Sequence, residues 1–362
     1  MPSATAPPTI PLDLVLHIGS NKTGTSSIQY FLRDNRERLA ELGHLFPKSP
    51  GNARHTHLSF YVKSKSELEN TVEWCRQGHS DPATFRKSFR RRLFAEIERS
   101  GLSRVLLSDE ALFASSKPSM RRLRNLVDRL AGSLRVVVYL RRQDDHLVSR
   151  YQQVVKVGET KRLTEWANEP VHSGMYDYHA RLRTWERVLE PDAFVVCRFE
   201  PNSFVDGSLF QDFFDAADIN ARAEDMTQPP TRNVSLDAET VEFLRLYNLY
   251  RVENEAARPG VINNWKLTTR LTEHARGPVL TLPTSVLDRF MAQWDESNRA
   301  VARRYLGDSN GDLFRMPRKT DNTTTEQHLD PDRLDQFLTL LELPEQVHAP
   351  LRRVVEREAN NR

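Results

Sequence analysis

The chain has 362 residues, 38% of them hydrophobic and 28% charged, enough for a large α/β domain with a sizeable core and unlike a disordered or fibrous chain. Its 52 basic residues against 49 acidic ones leave a formal charge of +3, so no global field favours nucleic acid and any basic site must be local. Cys75 and Cys197 make no disulfide framework and have no metal-ligand spacing, which fits a reducing, cytoplasmic setting; MPSATAPPTIPLDL is not a signal peptide, and no apolar run reaches membrane-spanning length.

The first element is an apolar run, Leu14 to Ile18. A loop with Gly19, Lys22 and Gly24 follows, and then a segment placing Ile28, Phe31, Leu32, Leu39 and Leu42 on one helical face before Gly43 ends it. His44 to Phe46 reads as a brief second strand leading into the polar loop PKSPGNARHTH. The basic amphipathic helix FRKSFRRRLFAEIERSG precedes the strand RVLLSDE, a helix around Met120 to Leu130 precedes LRVVVYLRR, and another near Tyr178 to Leu189 precedes AFVVCRFE. Apolar strands without alternation, interleaved with helices, predict a P-loop-like three-layer α/β sandwich with a mostly parallel sheet of about five strands. From about residue 216 the strand signal fades, and 236–256, 284–306 and 331–357 read as a helical C-terminal cap. The expected organisation is a disordered tail over 1–11, an α/β domain over 12–315, and a linker, MPRKTDNTTTEQHLDP, with a last helix over 316–362.

In a parallel sheet, ligands sit beyond the carboxyl ends of the strands, which directs attention to the loop after the first one. A Walker-type loop needs Lys and Ser/Thr directly after its last Gly; here Gly24 is followed by Thr25, and the Lys lies upstream at position 22. Amides at the helix N-terminus, with the hydroxyls of Thr23, Thr25, Ser26 and Ser27, still suit an anion, and the expected one is a single 5′-phosphate with Lys22 aimed at a group attached to it. No strand-terminal Asp is convincingly placed for a metal. The bland alternative is a glycine-bearing turn that only joins strand to helix.

A second constellation is VVVYLRRQDDHLVSRYQQVVK, in which a strand delivers Arg141 and Arg142 at its end and Ser149 follows eight residues after Arg141. Guanidinium and hydroxyl could clamp a second phosphate. The alternative pairs Arg141 or Arg142 with Asp144 or Asp145 and leaves Ser149 solvated.

Together, the Lys-Thr-Gly-Thr loop and the later Arg and Ser resemble the sulfotransferase family that uses 3′-phosphoadenosine 5′-phosphosulfate, PAPS. The resemblance implies that Lys22, Gly24, Thr25 and Ser26 hold the 5′-phosphosulfate and that Arg141 and Ser149 hold the 3′-phosphate. The likeness to some bacterial members extends to YDYHARLRTWERVLEPDAFVVCRFE, RNVSL and SNRAVARRYLG…GDLF, loosely covering residues 12 to 315. The Arg-Lys-Gly near the C-terminal end of cytosolic small-molecule members is absent, and Arg232-Asn233 is a weak substitute. The activity implied is metal-independent, in-line transfer of a sulfuryl group to a hydroxyl or amine of a small-molecule, lipid or carbohydrate acceptor, a peptide staying open, with no nucleic-acid partner and no membrane span.

Such a transfer needs a group to stabilise the leaving oxygen and a base for the acceptor. Lys22 takes the first role. Glu110, at the end of RVLLSDE, is the first candidate base and His57 the second, with His55 beside it; the alternative makes Asp109 and Glu110 dipole partners of a helix capped by Ser108. Two rival functions remain at this level: a P-loop kinase binding ATP at the same loop, and a non-catalytic nucleotide-binding module.

Overall fold

The computed structural model describes residues 11–169, 173–230, 235–260, 262–318 and 325–360. The proposed disordered tail therefore lies almost wholly outside the described residues, as do Arg232, Asn233 and the middle of the expected linker. The described chain forms two compact units, one of residues up to 142 with 174–230 and 295–316, the other of residues 143–173, 231–294 and 317–362.

The first unit is built on a five-stranded parallel sheet in the order β2-β3-β1-β4-β5. Its strands are β1 (Leu12–His17), β2 (His44–Leu45), β3 (Arg104–Ser108), β4 (Ala131–Leu140) and β5 (Ala193–Arg198). Both faces are covered, which is why the strands read as continuous apolar runs. Leu14 and Leu16 of β1, Val105 and Leu107 of β3 and Val136 and Val138 of β4 enter one core with Phe89, Leu123, Leu182 and Val301 from helices. Val15, Leu106, Val137 and Tyr139 point to the other face and pack on Ile28, Phe31, Phe213 and Phe214. The result is a three-layer α/β arrangement.

Two segments depart from the local pattern. The helix after the first loop, Thr25–Asp34, does not run through to Gly43: it stops at Asn35, and a short helix, Arg36–Glu41, follows. The Asn35 side chain explains the break, since its Nδ2 donates to the Phe31 carbonyl at 2.8 Å and to the Thr227 carbonyl at 2.9 Å, supplying a tertiary cap. The helix Asp295–Leu306, expected in the cap, belongs to the sheet unit, where Val301 and Ala302 are fully buried in the core.

The second unit is helical, with Gln143–Val155, Leu163–Ala167, Ala238–Asn254, Trp265–His274, Thr284–Ala292, Leu334–Leu340 and Glu345–Asn360. Arg245 is buried in it and pairs with Glu242 at 2.7 Å and Glu358 at 2.9 Å, while Gln327 Nε2 donates to Glu242 and to the Tyr151 hydroxyl. A charge so enclosed persists because every donor finds an acceptor. Among the described residues no helix is long and apolar enough to cross a membrane.

Candidate functional site

Strand register builds the site. His17 at the end of β1 is level with Ser108 at the end of β3, so two residues later the chain brings Glu110 against Gly19. A Cβ at Gly19 would stand 2.9 Å from both Cα and Cβ of Glu110, and Gly19 has φ +102°, so close approach and left-handed backbone both require glycine there. On the other side β4 outruns β1 and binds the loop: Tyr139 N donates to the Gly19 carbonyl at 2.7 Å and Ser20 N to the Tyr139 carbonyl at 3.0 Å. Arg141 follows directly, and its Nη1 donates to the Lys22 carbonyl at 3.1 Å. β1 has β3 on one side and β4 on the other, so the loop occupies the point where the strand order reverses.

The loop holds its shape through its own polar groups. Thr23 is fully buried, and its hydroxyl donates to the Ser20 carbonyl at 2.5 Å, so this side chain shapes the loop. Gly24 is the N-cap of Thr25–Asp34 in the left-handed region, and a Cβ there would meet Leu209 Cδ2 at 2.5 Å. The amides of Thr25, Ser26 and Ser27 have no carbonyl one turn back within the helix; Ile28 N is the first to close, on the Gly24 carbonyl at 3.0 Å. Thr25 is buried, Ser27 half-buried and Ser26 exposed. Lys22 has φ +63°, a costly conformation for a side-chain-bearing residue, of the kind that concentrates at functional sites. Its side chain is solvent-accessible yet crowded by protein, and this desolvation, followed by repulsion from Arg141, lowers the ammonium pKa below its ordinary value.

Glu110 opens a single turn of 3-10 helix, Glu110–Leu112, capped by Asp109 and not by Ser108. Gln29 Nε2 donates to Glu110 Oε2 at 2.7 Å and to Ser108 Oγ at 3.2 Å, and Arg54 Nη1 lies 3.3 Å from Glu110 Oε1. Arg54 Nε donates to Asp109 at 2.8 Å; burial works against the guanidinium charge, but Asp109 and Glu110 outweigh it and raise its pKa. Asp109, fully buried, also accepts from the amides of Ser59 and Ala111 and is thereby a structural anchor. Local sequence pattern does not single out Gln29 or Arg54, and it marks Ser108 only as a helix cap. One trace existed for Gln29, a polar residue beside Ile28 on the face that packs on the sheet, where it is 2% exposed.

Both candidate histidines are engaged by protein groups. His57 is occupied at both ring nitrogens, by the Ser49 carbonyl at 3.2 Å and Gln77 Oε1 at 3.1 Å, and it packs among Phe60, His79 and Phe85. His55 is buried between the Pro47 carbonyl and the Ser108 amide and stacks on Phe46. Ser149 lies half-buried on Gln143–Val155 in the helical unit, where Asp144 of the same helix pairs with Arg318 at 2.8 Å.

No family model matches this chain, and no solved structure does. It is similar to an uncharacterized protein of Archaeoglobus fulgidus, 28% identical over 182 residues, which is 49% of this chain and 47% of that protein. The chain thus spans about half the length of the relative it matches.

Burial pushes the pKa of both His17 and His55 down to about 3, so each is a neutral imidazole in the fold. A lowered histidine pKa leaves the unfolded chain binding more protons between pH 6.5 and 3, so their stabilising contribution is complete above 6.5 and is lost as pH falls. Urea unfolding at pH 7.5 and pH 5.0 is expected to show a loss of roughly 2 kcal/mol for each of the two. His55→Gln should flatten the slope between these values, and a stability independent of pH across this window would remove the assignment.

Proposed function

We propose that the chain is a PAPS-dependent sulfotransferase of a reducing, cytoplasmic compartment, a setting supported by its free cysteines, Cys75 and Cys197. The observation that carries the reading is the convergence of Lys22, the open amides of Thr25–Asp34 and Arg141 on one loop, with Glu110 against the same loop at Gly19. Two cations and a helix N-terminus suit a dianionic phosphosulfate better than a neutral ligand. Arg141 is the proposed 3′-phosphate contact, and Ser26 and Ser27 the hydroxyl donors to the 5′ side.

In the transfer, the acceptor oxygen or nitrogen bonds to sulfur while the bond from sulfur to the bridging phosphate oxygen breaks. The acceptor proton passes to Glu110, and the electron pair of the broken bond stays on the phosphate oxygen, where the Lys22 ammonium stabilises it. The lowered proton affinity of Lys22 suits the role, because the same ammonium can hydrogen-bond strongly to the growing charge. Gln29 and Arg54 hold the carboxylate, one at each oxygen.

Thermal shifts test the reading. Adenosine 3′,5′-bisphosphate is expected to raise the melting temperature more than AMP, and more than ATP with magnesium. Arg141→Ala should erase most of that preference, since a lost charged partner costs on the order of 1.5–3 kcal/mol. Equal shifts from bisphosphate and AMP would overturn the proposal, and a magnesium-dependent preference for ATP would favour a kinase.

A further inference from the structure

The helical unit contains a cavity of about 550 Å³ that the transfer chemistry does not use. It lies where Gln143–Val155, Leu163–Ala167 and Thr284–Ala292 meet, a common place for small-molecule sites, which run roughly 300–1,000 Å³. The walls divide by chemistry. Val286 and Phe290, four apart on Thr284–Ala292 and half-buried, supply an apolar side backed by the buried Leu147, Leu282 and Trp294. Phe290 and Trp294 meet edge to face with centroids 6.2 Å apart, which gives this side a stiff aromatic surface. Arg289 and Gln293, again four apart, form the neighbouring polar stripe on the rim.

The charges on the rim do not cancel. Glu169 is neutralised by its ion pair with Lys161, and the Asn168 amide is taken by the Thr164 carbonyl. The Arg289 guanidinium donates through Nε to the Ser285 carbonyl at 3.4 Å and has no acidic partner among the described residues. An exposed, uncompensated guanidinium beside a cavity with one apolar wall suits a carboxylate or sulfate, which it can take in a two-pronged hydrogen bond.

We infer that this cavity binds a single-headed amphipathic anion, an apolar body laid against Val286 and Phe290 with its carboxylate or sulfate on Arg289. The inference stands apart from the transferase reading, because every residue it uses belongs to the helical unit.

Calorimetric titration of the full chain with decanoate, below micelle-forming concentrations, tests it against decan-1-ol and decyltrimethylammonium. Decanoate is expected to bind one site at least about tenfold more tightly than the alcohol, the share of one charged hydrogen-bonded partner, and the cationic amphiphile most weakly. Arg289→Gln should remove the advantage of decanoate and leave the alcohol unchanged. Ala167→Phe should fill the cavity and abolish both; Val286→Trp serves the same purpose if the melting temperature shows the first variant misfolded. No decanoate binding, equal affinity for the three probes, a decanoate advantage that survives Arg289→Gln, or binding that survives a folded cavity-filling variant would each overturn the inference.

Discussion

Lys22→Ala is expected to lower PAPS turnover by roughly 10²–10³-fold, the usual cost of losing a donor aimed at charge that develops in the transition state. Affinity for adenosine 3′,5′-bisphosphate should fall far less. The contrast follows from the role: the bridging oxygen is only partly charged in bound PAPS and becomes anionic as the bond breaks, so the ammonium is worth most at the barrier. The substitution is a clean test because Lys22 already occupies the left-handed region with φ +63°, which alanine tolerates no worse than lysine, and because the hydrogen bond from Arg141 goes to the Lys22 carbonyl, which alanine keeps. The loop should therefore survive. Turnover is followed as release of adenosine bisphosphate and affinity by calorimetry. A variant that loses binding and turnover in equal proportion would assign Lys22 to ground-state holding of the nucleotide and withdraw the catalytic role.

Glu110→Gln is the second large effect, with turnover falling about a hundredfold or more, the usual size of a general-base contribution. The neutral amide keeps the volume and can still accept from Gln29 Nε2 through its oxygen. Arg54 loses its partner at 3.3 Å but keeps Asp109 at 2.8 Å, so the local fold should hold and bisphosphate affinity should change little. His57→Gln is the comparison, and its effect should be small, because both ring nitrogens are already taken by the Ser49 carbonyl and Gln77. A dead histidine variant beside an active Glu110→Gln would move the base to His57. If both stay active, neither residue takes the proton.

Much of the architecture is legible in local pattern. Apolar runs without alternation at Leu14 to Ile18, RVLLS, VVVYL and AFVVC mark strands covered on both faces, and β1, β3, β4 and the half-buried edge strand β5 fall on them. The helix Tyr178–Leu189 is delimited by its apolar spacing and by Asp177, whose side chain accepts from the Ala180 amide. Lys22, Gly24 and Arg141 are visible because the loop after β1 and the strand that flanks it are each contiguous in the chain.

Other features depend on groups far apart in sequence, and local periodicity carries no record of them. The helix Thr25–Asp34 ends at Asn35 because Thr227 supplies an acceptor 192 residues away. Gln143–Val155 groups with helices beyond residue 230 although it follows β4 directly, because contacts along the chain do not decide which apolar surface a helix covers. The sequence by itself determined the parallel strands, the strand-loop-helix unit and the residues of the loop, since burial pattern and turn chemistry are written in neighbouring residues. Only the tertiary structure decided that Glu110 stands against Gly19, that Gln29 and Arg54 hold it, and that His57 is spent elsewhere, since those facts follow from the register of β1 against β3 and from a strand order that pairs segments nearly a hundred residues apart.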